Sequence, residues 1–247
     1  MTPDSFSDGG RWLDPDAAVA HGLAMVAEGA DVVDVGGEST RPGADPVPED
    51  EELRRVLPVV EALAPHVRVS IDTRRTGVAE EAVAAGATLV NDVSASLERV
   101  AAEAGVGWVA MHMRGDPRTM QQAPEYRDVV AEVRAFLVER AARARDAGVD
   151  EVWIDPGIGF GKTAAHNLAL LRATRSLAAT GWPVLVGASR KAFLGLVTSE
   201  PDEPNPPAGD RLEASLAVAV WAVDQGAAMV RVHDVGPTVQ AMRLLAS

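Results

Sequence analysis

The stretch Pro183-Val184-Leu185-Val186-Gly187-Ala188-Ser189-Arg190-Lys191-Ala192-Phe193-Leu194 passes from a short apolar run, through a polar turn, into a helical pattern. It reads as a buried strand whose end delivers a lysine beside fresh helix amides. The same junction recurs at Asp34-Val35-Gly36-Gly37-Glu38, Ser70-Ile71-Asp72-Thr73, Val90-Asn91-Asp92, Met111-His112, Ile154-Asp155-Pro156-Gly157 and Val230-Arg231-Val232-His233-Asp234. In a parallel α/β fold these ends share one face, so residues far apart in sequence converge on one pocket.

Seven short apolar runs are predicted as strands: Val32 to Val35, Val67 to Ile71, Leu89 to Val90, Trp108 to Met111, Val152 to Ile154, Val184 to Val186 and Met229 to Val232. Helical patterns cover Pro15 to Glu28, Pro48 to Ala64, Thr76 to Ala85, Leu97 to Ala104, Tyr126 to Ala147, Ala164 to Ala179, Arg211 to Gln225 and Pro237 to Leu245. Several stop at a glycine suited to a left-handed C-cap. The alternation predicts right-handed crossovers and a parallel sheet in one domain, 1–247, of a length that suits a (β/α)8 TIM barrel. Only the loop Thr2 to Gly10 precedes the first helix, so the first strand of an eight-stranded barrel is expected to be missing or truncated at the N-terminus. The proline-rich stretch Ser199 to Asp210 reads as an exposed loop.

Composition narrows the class. The 247 residues are 47% hydrophobic but only 4% aromatic, which implies a core of Ala, Val and Leu. No apolar run is long enough to span a bilayer and no signal peptide is visible, so a cytoplasmic protein is expected. Without cysteine, disulfides, thiolate metal sites and cysteine nucleophiles are excluded. A net charge of -13 argues against a nucleic-acid surface, so an anionic ligand needs local positive groups.

Asp72 and Asp155 each end an apolar strand, where an unpaired carboxylate is expensive to desolvate. A heterocycle presenting adjacent N–H groups can satisfy such an acid with two charge-assisted hydrogen bonds, and Asn91 can meet a mixed donor–acceptor edge. Any one acid alone reads better as a cap or ion pair; three polar groups at equivalent strand ends reverse that preference. Arg231 and His233, two residues apart, are expected on the same side and suit a diphosphate. Lys191 is placed to meet a ring carbonyl or nitrogen. The loops Asp4 to Gly10 and Glu38 to Gly43 are candidates for closing over substrates. The run Asp155 to Thr163 contains Gly161-Lys162-Thr163 but lacks the spacing of a nucleotide-binding loop.

In order along the chain, Thr2 to Gly10, Gly36 to Gly43, Ser70 to Thr73, Asn91 to Ser94, Asp155 to Lys162, Gly187 to Lys191 and Arg231 to Val235 together resemble dihydropteroate synthase. The resemblance implies a barrel that joins (7,8-dihydropterin-6-yl)methyl diphosphate to 4-aminobenzoate, releasing diphosphate, with Mg2+ assisting and a homodimer as the assembly. It implies that Asp72, Asn91, Asp155 and Lys191 hold the pterin, and that Thr40, Arg231 and His233 lie near the diphosphate. Phe6, Asp8, Arg41 and Pro42 would belong to the closing loops, with Asp8, Lys191, Arg231 and His233 as the expected catalytic set.

Two positions depart from the family. Its Asn-Val pair, whose asparagine contributes to the magnesium site, has only Met1 in its place before Thr2; a GTG valine codon can initiate translation, so a start inside the first strand is expected. Ala192 follows Lys191 where some relatives carry a hydroxyl or a cation, leaving the aminobenzoate carboxylate to backbone N–H groups. A noncatalytic pterin-binding paralogue and the pterin-binding barrel of corrinoid-dependent methyltransferases are the competing resemblances.

Overall fold

The computed structural model describes residues 14–39, 45–116, 118–200 and 202–246. Strands β1 (Val32–Gly36), β2 (Arg68–Asp72), β3 (Leu89–Asp92), β4 (Gly107–Met111) and β5 (Val152–Asp155) form one parallel sheet in that order. Strands β6 (Leu185–Val186) and β7 (Met229–Val230) pair in parallel, and an isolated bridge between Ile154 and Val184 joins them to β5. The seven strands therefore follow one another as barrel staves. Among the described residues no ladder connects β7 back to β1.

Helices α1 (Pro15–Glu28), α2 (Glu49–Leu63), α3 (Thr76–Ala84), α4 (Glu98–Ala104), α5 (Val129–Asp146), α6 (Ala164–Arg172), α7 (Thr174–Ala178), α8 (Ala192–Thr198), α9 (Leu212–Asp224) and α10 (Val235–Leu245) alternate with the strands. Local chemistry sets their starts: Asp14 accepts from Ala17 N–H, and Asp128 accepts from Val130 and Ala131. Two expectations need correction. The pattern Ala164 to Ala179 is two helices, because the chain turns at Ala173 and the Thr174 hydroxyl donates to Leu171 O at 2.8 Å. The last strand ends at Val230, so Arg231 and His233 lie just beyond the ladder. The loop after α8 closes with a 3-10 turn, Ala208–Asp210.

The period-two alternation of the strands positions the site. One face, carrying Val33, Val35, Val69, Ile71, Val90, Trp108, Ala110, Val152, Ile154, Val184 and Val186, is buried in the main core with the helices. The other face points into the barrel, where Leu89, Val109 and Leu185 pack with Val32, Trp153 and Met229 as an apolar floor. Two residues further along those same strands stand Asp34, Asn91, Met111, Asp155, Gly187 and Arg231. Asp72 lies beside Asn91 in the β2–β3 register. The polar rim is thus the next inward layer above a packed floor.

Candidate active site

A cavity of about 1500 Å³ runs from this rim past the floor residues Leu89 and Leu185 to the side of α1 and α10; Asp34, Asp72, Asn91, Phe160, Lys191, Arg231 and His233 line its rim end. Arg231 is the centre of that end. Its Nη1 donates to Asp34 Oδ2 at 3.0 Å and lies 3.5 Å from Asp72 Oδ2, while Nη2 is 4.0 Å from Asp155 Oδ2. Gly187 makes room for it: a Cβ there would sit 3.1 Å from Arg231 Nε. Burial works against the guanidinium charge, but Asp34, Asp72 and Asp155 outweigh it and hold Arg231 above its ordinary pKa.

The acids respond to the same crowding. Loss of hydration, then repulsion from Asp34, pushes Asp72 up to about 7 despite the opposing pull of Arg231. Asp155, only 1% exposed, is also raised, chiefly by burial; its Oδ1 accepts from Gly157 N–H at 2.7 Å. Asn91 Nδ2 donates to Asp34 Oδ2 at 3.1 Å. Asn91 Oδ1, Asp155 Oδ2 and Asp34 Oδ1 are buried with no hydrogen-bond partner among the described residues. Buried polar atoms of this kind are rare unless a ligand completes them.

Lys191 caps the start of α8, with its Nζ 4.1 Å from the centroid of the Phe160 ring. Burial first, and then Arg231, lowers its pKa to about 8, with Asp155 and Asp72 opposing. Its loop is firmly tied. Arg190, at φ 57°, forks onto Asp234 at 3.0 and 2.5 Å, Ser215 Oγ accepts from Arg190 N–H, and Arg211 reaches Arg190 O at 2.8 Å. Ser189 Oγ meets His233 Nδ1 at 3.0 Å, which fixes the imidazole at the cavity edge.

Not every polar strand end serves the cavity. Asp92 points outward and is saturated by Ser94, Ser96, Leu97 and the Trp108 indole N–H. Glu38 is held by Val47 N–H, Arg74 and Arg75, and so anchors the base of its loop. Asp72, Asn91, Asp155, Lys191, Arg231 and His233 are brought together as the sequence suggests. Phe6, Asp8, Thr40, Arg41 and Pro42 lie outside the described residues. Asp34 and Phe160 were not singled out from sequence. The period-two pattern could have found Asp34, and the rarity of aromatics could have flagged Phe160.

The turn after β5 tolerates little change. Gly157 has φ +64°, and a Cβ would lie 1.9 Å from His112 O. Gly157→Ala is expected to destabilise the protein by about 3 kcal/mol or more, as strain and overpacking combine. Urea denaturation checks this; a loss below about 1 kcal/mol would contradict the close approach.

Comparison with known proteins fits this geometry. Residues 1–233 match the family model described as "Pterin binding enzyme". Dihydropteroate synthase of Mycobacterium leprae is 52% identical, with 99% of this chain and 89% of that protein covered. The chain belongs to the dihydropteroate synthase family. Among solved structures, Yersinia pestis dihydropteroate synthase with a sulfonamide drug complex superposes with TM-score 0.93 at 43% identity, covering 99% of this chain and 90% of that one. The Xanthomonas albilineans enzyme in complex with 7,8-dihydropteroate gives TM-score 0.84 at 43% identity, covering 99% and 88%. The fold is accordingly the α/β barrel of this family.

Proposed function

We propose that the inward rim layer binds the pterin of a (dihydropterin-6-yl)methyl diphosphate and that the chain, a transferase of the dihydropteroate synthase family, joins it to 4-aminobenzoate. The observation carrying this reading is the set of partnerless oxygens on Asp155 and Asn91 directly above an apolar floor. The two adjacent N–H groups of the amino-pyrimidinone edge meet the Asp155 carboxylate at Oδ2, replacing the 4.0 Å approach of Arg231, the longest of the three ion-pair contacts of that guanidinium. The 3.0 Å bond from Arg231 to Asp34 need not break. Asn91 Oδ1 accepts a further N–H, and Lys191 donates to the ring carbonyl or nitrogen.

In the reaction the bond from the methylene carbon to the diphosphate oxygen breaks, the amine nitrogen bonds to that carbon, and the amine gives up one proton. C–O cleavage leads, so positive charge builds on the pterin and negative charge on the leaving group. Asp72 and Asp155 sit under the first, while Arg231 and His233 receive the second; fixed charges aimed at developing charge lower the barrier. A Mg2+ ion bound to the diphosphate would further neutralise the leaving group. Among the described residues no group of three or more His, Asp or Glu side chains could hold a metal.

The reading extends to one pterin-binding domain over residues 1–247, to the cytoplasm and to a homodimer. No helix among the described residues is long and apolar enough to cross a membrane. The exposed Leu196, Val197 and Trp221 on α8 and α9 supply an apolar face for a second copy, to be checked by light scattering. Diphosphate release is expected to require both substrates and Mg2+. A folded protein that consumes neither substrate, or that instead transfers a methyl group from a folate to a corrinoid, would overturn the assignment.

A further inference from the structure

The lysine of the Gly161-Lys162-Thr163 run is 3% exposed and faces inward. Its Nζ lies 2.9 Å from Phe160 O, 3.0 Å from Gly157 O, 3.2 Å from His112 O and 3.0 Å from His112 Nδ1. Three backbone carbonyls and one imidazole lone pair therefore surround a group with three N–H donors. Burial, and then the nearby ammonium, push His112 down to about 3, and because an ammonium only donates, the neutral ring meets it with Nδ1 as the acceptor. Burial also lowers Lys162 itself to about 7, against the pull of Asp155.

The turn gathered round this ammonium carries two groups of the site. Gly157 N–H holds Asp155 Oδ1, and the Phe160 ring lies against Lys191 Nζ. The turn has further ties at its outer side, where Tyr126 Oη donates to Gly161 O at 2.9 Å, Gln121 reaches Gly159 O at 2.6 Å and Asn167 accepts from Gly159 N–H at 2.8 Å; on the inward side the carbonyls of Gly157 and Phe160 meet Lys162. Left-handed glycines at 157, 159 and 161 give the turn little intrinsic preference for this shape, so the shape must be imposed by contacts.

We propose that Lys162 is a positioning residue for pterin capture: by collecting the carbonyls of Gly157, Phe160 and His112 it fixes the turn that orients Asp155 and Lys191. This rests on the pterin roles assigned to those two residues above. With its Nζ engaged by these four acceptors at the cavity wall, Lys162 acts through its neighbours.

The test is pterin affinity, by titration calorimetry with the full chain and 6-hydroxymethyl-dihydropterin diphosphate. Lys162→Met keeps the apolar stem but leaves the carbonyls without a donor; it is expected to weaken pterin binding by about 10- to 100-fold. The KM for 4-aminobenzoate at saturating pterin should change less than about threefold. Lys162→Gln, which returns two N–H donors, is expected to recover part of the loss. Wild-type pterin affinity in a folded Met variant overturns the proposal. Equal losses toward both substrates, or loss of fold in both variants, assign Lys162 a merely structural role and overturn it as well. If Asp155→Asn also leaves pterin affinity untouched, the fault lies with the underlying site reading; if only Lys162→Met is silent, this inference alone fails.

Discussion

Arg231→Met is expected to lower kcat/KM by between two and three orders of magnitude while the protein still folds. The guanidinium is the shared partner of Asp34, Asp72 and Asp155, and removing one member of such a pair costs about 3–5 kcal/mol when fully buried. The side chains of Arg231, Asp34 and Asp72 are 27%, 22% and 26% exposed, so the lower end of that range applies. That cost falls on folding; the loss in kcat/KM comes from the missing donor to the departing diphosphate, and removing one donor aimed at developing negative charge costs about 10²- to 10³-fold. Arg231→Lys restores charge but not the fork, and should fall between the two.

The same variant has a pH signature. Asp72 titrates at about 7 in the folded protein and near the ordinary carboxylate value when unfolded. Between about pH 4 and pH 7 the folded state thus holds a proton that the unfolded state has released, so this group makes stability fall as pH rises through that window. Arg231 is the main cation pulling Asp72 down. Its removal must extend the window upward, and urea midpoints measured from pH 5 to 9 should show the decline continuing above 7. Identical pH profiles for both proteins, together with unchanged kcat/KM, would remove Arg231 from the centre of the site.

The strand ends were legible because their chemistry is local: a β-branched run followed by Asp, Asn or Arg identifies both the strand and its exit. Period two then separates Asn91, which looks inward, from Asp92, which is consumed by its own turn. What escaped depends on contacts between distant segments. Asp34 becomes important only when Arg231, 197 positions later, lands on it. Lys162 reads only as part of a Gly-Lys-Thr run without nucleotide-loop spacing until His112, 50 positions earlier, closes over it. The break at Ala173 has neither Gly nor Pro to announce it, because a threonine hydroxyl bonding to the preceding turn suffices.

Asp155→Asn should abolish measurable pterin capture at ordinary ligand concentrations, weakening affinity by about a thousandfold. The change is nearly isosteric, and the retained carbonyl can still accept Gly157 N–H, so the turn after β5 keeps its anchor. The oxygen lost is Oδ2, which is buried and has no hydrogen-bond partner among the described residues. In its place stands an NH2 group facing the N–H edge of the heterocycle, donor against donor. Losing a charge-assisted pair and leaving buried donors unmatched together amount to about 4 kcal/mol, hence the thousandfold. Binding also stabilises the ionised carboxylate, whose pKa burial has raised in the empty site. Wild-type affinity must therefore weaken as pH falls below that raised value. Asp72 is raised as well, so the informative quantity is the difference between the two proteins. The variant should lack the component of the acid-side decline that belongs to Asp155. Calorimetry across pH 5 to 8 with both proteins measures it, and superimposable affinities would place the pterin edge somewhere other than Asp155.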